Sequence, residues 1–148
     1  MIYDRNFRIS AQFDFDTNDE GVIWALGDAF AGIVLFVEEG AANVHYNGHG
    51  ELQEFQPMPL VPGRQFVDFR FSALGDRNGR ARIRVNDTLA HEDKDVFPTI
   101  MAVSLEGLDI GVDRRGPVSW SLYERRAYFP YTSSIARVTI DPMVDQPG

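Results

Sequence analysis

The sequence predicts an all-β protein, a two-sheet antiparallel β-sandwich. Three observations carry that expectation. Apolar residues recur with period two through most of the chain, no window keeps a helical period, and Gly, Pro, Asn and Asp interrupt the apolar runs at short intervals. Alternation is what a half-buried strand requires, because successive side chains point to opposite sides of a sheet. About ten to twelve short strands fit the pattern, which points to two stacked sheets.

The elements follow in chain order. Phe7, Ile9, Ala11, Phe13 and Phe15 alternate with Arg8, Ser10, Gln12 and Asp14, a half-buried strand, and residues 16–21 form a polar turn. Residues 22–26 and 32–37 are apolar on both faces, which predicts central strands. Ala42, Val44 and Tyr46 alternate with Asn43 and His45, and Asn47-Gly48 follows as a turn signal. Val67, Phe69 and Phe71 form another alternating set. Residues 80–85 direct Ala81, Ile83 and Val85 inward and Arg80, Arg82 and Arg84 outward, before Asn86-Asp87 turns the chain. Glu92, Asp93 and Asp95 read as a solvated loop ahead of Phe97-Pro98, in preference to an extended stretch on which Asp93 and Asp95 would share a face. Leu108, Ile110 and Val112, and later Ala136, Val138 and Ile140, supply two more strands. Residues 1–148 are expected to form a single domain, and 142–148, with Pro142 and Pro147, a frayed tail.

Composition narrows the partners. A hydrophobic share of 44%, with 11 Phe, suffices for a packed core, and the lack of cysteine excludes disulfides and thiolate chemistry. The net charge of −8 makes nucleic acid and anionic membranes poor partners. The basic residues are 13 Arg against one Lys, Lys94. Guanidinium forks grip carboxylates and sulfates, so an anionic ligand stays in view. No basic and apolar leader pattern follows Met1, no apolar run approaches a membrane span, and the sequence assigns no compartment.

Each candidate site competes with a plain structural role. His45 and His49 have a metal spacing only on a helix, whereas Asn47-Gly48 places a hairpin between them, and His91 has no evident partner. Asp14, Asp16, Asn18 and Glu20 superficially resemble a calcium loop, but Asp19 stands where glycine is needed and Ala25 where glutamate is needed. No metal or other cofactor is therefore expected. Glu51 and Glu54 fall on opposite faces of any strand, which does not suit a catalytic acid pair. Gly111, between Asp109 and Asp113, suggests a close backbone approach, with Asp113 capping a turn. Asn86-Asp87-Thr88 is a glycosylation sequon at a turn. The expected contact surface is Arg114, Arg115, Trp120, Tyr123 and Arg125, in a segment that also holds Arg126, Tyr128, Phe129 and Tyr131. Aromatic faces beside Arg forks suit a sugar, a sulfated sugar or a protein partner, and equally suit a loop folded onto its own sheet.

Several segments share their order with one known domain. Residues 21–27, Gly-Val-Ile-Trp-Ala-Leu-Gly, resemble a G-V-I-x-A-x-G-G segment of the C-terminal β-domain of bacterial arylsulfatase-type hydrolases. Residues 30–40 with Tyr46-Asn47, the Pro59-Leu60-Val61-Pro62-Gly63 run, the hairpin of residues 79–87, and residues 108–119 with 134–141 resemble later segments of that domain. Where the family has D-T-G-S-P-V-S, this chain has Asp113-Arg114-Arg115-Gly116-Pro117-Val118-Ser119. The resemblance implies a concanavalin A-like jelly roll. It also implies a non-catalytic accessory domain for packing, oligomerisation or substrate positioning, with a sulfatase catalytic domain, a second copy or a glycan as partner. An independent lectin-like carbohydrate-binding module and a divergent jelly-roll glycosidase or lyase are the alternatives, since fold does not fix function.

Sulfatases of that kind need Cys or Ser in C/S-x-P-x-R, and no residue here begins that pattern. The purified chain is accordingly expected to leave a chromogenic aryl sulfate at the rate of a mock preparation. Turnover above that background would overturn the reading.

Overall fold

The computed structural model describes residues 7–27, 31–48, 51–75, 78–96, 108–111 and 129–141. Among these residues there are eleven strands and no helix. They are β1 (Phe7–Phe15), β2 (Gly21–Gly27), β3 (Ala31–Glu38), β4 (Ala41–Gly48), β5 (Glu51–Glu54), β6 (Met58–Pro59), β7 (Gly63–Gly75), β8 (Asn78–Val85), β9 (Thr88–Val96), β10 (Leu108–Ile110) and β11 (Ile135–Asp141). One antiparallel sheet has the order β11-β1-β7-β8-β9. The other has the order β10-β2-β3-β4-β5, with β6 paired to the start of β4. The all-β, two-sheet sandwich stands as the alternation predicts.

β1 sets the pattern of the first sheet. Its burial alternates without a break, and it lies between β7 and β11. Phe7, Ile9 and Ala11 stand opposite Phe71, Phe69 and Val67, which in turn face Ala81, Ile83 and Val85 of β8. All nine are buried. Each Phe so placed contributes about 1.5–3 kcal/mol relative to an exposed one. Phe7 stacks on Phe71 with ring centroids 5.2 Å apart, and Phe69 meets Trp24 of β2 edge-on at 6.1 Å, joining the two sheets.

The second sheet is built differently. β2 and β3 are central strands, as their continuous apolar runs predict, and they are buried on both faces. A bulge between Val22 and Trp24 places one extra residue in β2. Ile23 and Trp24 therefore both join the inner core, while Val22 and Ala25 face outward to a second cluster with Val34, Phe36 and Phe129.

Four expectations need correction. β4 runs through Asn47-Gly48 and pairs there with β5, so the turn signal sits at the strand end. The acidic run at 92–95 belongs to β9, an edge strand held by backbone pairing to β8, not to a loop. A register shift in the β1–β11 pairing puts Ile135 against the core, with Val138 and Ile140, and leaves Ala136 exposed. Among the described residues, an added Cβ at Gly111 would meet only the Ile135 Cδ1 at 3.6 Å, an ordinary contact. Its φ of 82°, a left-handed backbone, itself favours glycine there. The described part of the last alternating set before residue 129 is β10, which ends at Ile110; Val112 and the tail 142–148 lie outside the described residues.

Close approach operates at Gly21 instead. Its φ is 129°, and an added Cβ would fall 2.3 Å from the Pro130 carbonyl oxygen. Residues 129–132 lie along the start of β2 through this gap. The Val22 amide donates to the Phe129 carbonyl at 2.8 Å, and the Thr132 amide donates to the Glu20 carbonyl at 2.9 Å. The Tyr131 hydroxyl donates to the Asp14 carbonyl at 2.6 Å, and its ring meets Phe13 edge-on at 5.6 Å. Burial, then the Asp19 and Asp14 carboxylates, push the Tyr131 hydroxyl well above the usual phenol range.

Replacing Gly21 with Ala should cost roughly 1–3 kcal/mol, because backbone must move. Gly40→Ala, where no described residue lies within 4 Å and only the φ of 75° strains alanine, should cost less. Urea melts of both variants check this, and equal midpoints would count against the Pro130 contact. Tyr131 has a raised pKa in the folded state, so its stabilising contribution is complete below the unfolded value of about 10 and is lost as pH rises above it. Tyr131→Phe should therefore lower stability at neutral pH by about 0.5–1.5 kcal/mol and narrow its deficit to wild type above about pH 10. Denaturation midpoints measured from pH 7 to 11 would show a constant gap if the hydroxyl were not so held.

Candidate functional site

The five residues of the expected contact surface, Arg114, Arg115, Trp120, Tyr123 and Arg125, lie outside the described residues, as do His49, Asp113, Arg126 and Tyr128. The described end of that segment, Phe129 to Tyr131, serves as an anchor against β2. The 16–20 turn is closed by its own groups. The Asp19 carboxylate accepts the Asp16 amide at 2.8 Å and the Thr132 hydroxyl at 3.0 Å, and Asp14 pairs with Arg64 at 2.6 Å. His45 is buried at 3% exposure on the outer side of the second sheet. Its ring meets Phe36 edge-on at 4.8 Å, and Nε2 lies 3.6 Å from the Glu54 Oε1. Asn43 and Asn47 share its face and are also buried.

The open, chemically varied surface is the outer side of the first sheet. Because β1, β7 and β8 share one parity, residues opposite in phase to the core lie together on the other face of the sheet. Across β11, β1 and β7 this gives three rows. Asp141, Arg8 and Arg70 form the first, continued by Arg82 of β8. Thr139, Ser10 and Asp68 form the second, continued by Arg84. Arg137, Gln12 and Phe66 form the third. A shallow cleft of about 150 Å³ lies here, lined by Arg8, Ser10, Gln12, Phe66, Asp68, Arg137 and Thr139 among others.

Phe66 is the unusual member. It is 50% exposed, although it is a large aromatic in a strand whose other Phe are buried. Two residues of β7 keep the strand's phase against their polarity: Gln65 takes an inward position and Phe66 an outward one. Gln65 is 1% exposed, and its amide donates to the Val61 and Gly63 carbonyls at 2.5 and 3.1 Å. Its Oε1 accepts from the Asn86 amide group at 2.6 Å. The Asn86 Oδ1 accepts the Phe66 N–H at 2.7 Å, and the Asn86 N–H donates to the Phe66 carbonyl at 2.8 Å. Both backbone groups of Phe66 are thereby fixed by the β8–β9 turn, whose Asn86 and Asp87 have φ of 49° and 68°. The ring is held outward by a buried polar clamp. Asp68 is held as well: its Oδ1 accepts from Arg8 Nε at 2.6 Å and from the Ser10 hydroxyl at 2.9 Å, and its Oδ2 lies 3.5 Å from Arg70 Nε.

A second, larger concavity of about 470 Å³ lies at the β6 and β8–β9 end of the sandwich. It is lined by Gln56, Pro57, Met58, Pro59, Val61, Val85, Asn86 and Thr88. Val61 at its rim is 67% exposed. It is more apolar than the cleft and shares Asn86 with the clamp behind Phe66.

No family model and no curated protein matches this chain. Solved structures match its fold. A bifunctional GH43-CE protein of Bacteroides eggerthii aligns with a TM-score of 0.50 at 8% identity, over 95% of this chain and 19% of that one. Botulinum neurotoxin type C, whose cell entry depends on interaction with two ganglioside molecules, aligns with a TM-score of 0.56 at 12% identity, over 92% of this chain and 30% of that one. The CBM40 of the Ruminococcus gnavus IT-sialidase, bound to α2,6 sialyllactose, aligns with a TM-score of 0.56 at 16% identity, over 97% of this chain and 78% of that one. The chain thus spans under a third of the first two proteins and most of the third. The fold they share with it is the concanavalin A-like jelly roll.

Proposed function

We propose that this chain is a non-catalytic, lectin-like carbohydrate-binding module whose site is the cleft around Phe66. The observation that carries the reading is a half-exposed aromatic ring, fixed outward by the Gln65–Asn86 clamp, in a cleft of hydroxyl, amide, carboxylate and guanidinium groups. A sugar ring presents apolar C–H faces and polar edges. An aromatic side chain covers the first while side chains such as Gln12, Thr139 and Arg137 meet the second. A side chain whose backbone is already fixed has less freedom to lose on binding than one on a loose loop.

Likeness of fold to a CBM40 adds support without fixing the ligand. The non-catalytic reading rests on the cleft's acids. Among the described residues lining it there is one carboxylate, Asp68, whereas glycoside hydrolysis generally uses two. The place of such a module beside a larger hydrolase is consistent with the arylsulfatase-type resemblance, which rests on the ordered sequence segments alone.

A glycan array covering neutral and acidic oligosaccharides should show binding above a blank surface. Phe66→Ala should weaken the positive glycans about tenfold, equivalent to about 1.4 kcal/mol. Its melting point should stay within the change of an ordinary surface substitution, about 0.5 kcal/mol. An array at background, or unaltered binding by Phe66→Ala, would reject the site.

A further inference from the structure

We infer that the glycan taken at this cleft is acidic, its sugars bearing carboxylate or sulfate groups that Arg84 and Arg137 hold on either side of Phe66; this deepens, and rests on, the carbohydrate-binding reading. The chain carries a net charge of −8, yet Arg8, Arg64, Arg70, Arg80, Arg82, Arg84 and Arg137, seven of its 13 arginines, lie on one sheet face. These are all the arginines among the described residues.

The arrangement also opposes stability. Arg8 faces Arg70, and Arg70 faces Arg82, across adjacent strands. Like charges directly opposite one another destabilise a sheet. Asp68 relieves part of this by its contacts with Arg8 and Arg70, but those contacts and the Ser10 hydroxyl already occupy it. Asp14 is paired with Arg64, Asp141 stands opposite Arg8, and Asp95 of β9 is in register with Arg80. Arg84 and Arg137 are exposed and have no carboxylate partner among the described residues.

Their positions suit one ligand. Arg84 is opposite Asp68 and so diagonal to Phe66, about 7–8 Å away for such sheet neighbours. Arg137 shares the row of Phe66 two strands away, at about 10 Å. A sugar resting on the ring would have a guanidinium fork within reach of each side. Such forks pair two N–H groups with two oxygens of a carboxylate or sulfate.

The test is equilibrium binding of four probes: a sulfated heparin oligosaccharide, an oligogalacturonate, a neutral xylo-oligosaccharide and polyglutamate. Wild type, Arg84→Gln, Arg137→Gln and Phe66→Ala are compared. At least one acidic oligosaccharide should bind about tenfold or more tightly than the neutral one. Each Arg variant should remove much of that preference, and raising the salt concentration should erode it. The sulfated and carboxylated arms identify which group is read. Equal binding of neutral and acidic sugars, unaffected by either Arg variant, overturns the acidic ligand while leaving the carbohydrate reading intact. Polyglutamate binding that matches the acidic sugars and survives Phe66→Ala overturns the assignment to a glycan. No binding to any probe overturns both.

Discussion

One parity, fixed by the in-register pairing of β1 with β7, controls the first sheet. Phe7, Ile9, Ala11 and Phe13 share a face with Phe71, Phe69, Val67 and Gln65, and Arg8, Ser10, Gln12 and Asp14 share the other with Arg70, Asp68, Phe66 and Arg64. A slip of one residue would drive arginines into the core and aromatics into water, which costs far more than any single contact returns. The arginines of the outer face thus help to specify the register as well as to decorate it. Everything on that face, including the cleft, inherits its layout from this alternation.

The two sheets solve the burial problem differently, and the difference locates the site. β2 and β3 are apolar on both faces, and Val34 and Phe36 are as deeply buried on the outer side as Ile33 and Leu35 are on the inner. Even the polar outward residues of β4, Asn43, His45 and Asn47, are withdrawn from solvent. The first sheet leaves part of its outer side open to solvent, and Phe66, Arg84, Arg137 and Thr139 are exposed on it. A rigid pleated surface suits the meeting of a solute, since a ligand laid across it orders few side chains.

Much of the fold was legible because burial wrote it. The runs at 7–15 and 80–85 alternate cleanly, and their inward and outward residues fall as the period requires. β9 was not legible, because an edge strand needs only backbone partners on one side and tolerates His, Glu, Asp and Lys in succession. The phase of β11 has no sequence signal, because nothing in the residues marks the register shift near Ala136. The cleft had a faint signal that reading by apolar content passes over: Gln65 and Phe66 exchange the phases expected of their polarity. The resolved site and the aromatic segment anticipated from composition, with Trp120 and Tyr123, are different places, since side-chain chemistry alone does not say which residues the topology gathers.

The position of β1 also governs the order in which the molecule can be assembled. Its neighbours in the sheet are β7 and β11, so Arg8 must wait for Arg70 on one side and for Asp141 on the other. Hairpins such as β3–β4 and β8–β9 close locally, within a few residues of chain. During synthesis, β1 leaves the ribosome before β7 and β11, the two strands that satisfy its edges, have been made. Such non-local pairing is slow, and an open edge is a template for another chain's strand. The strand that organises the sheet is made before both of its partners and is the last to be fully enclosed, which makes the emerging chain most vulnerable to association at the element its folded form depends on.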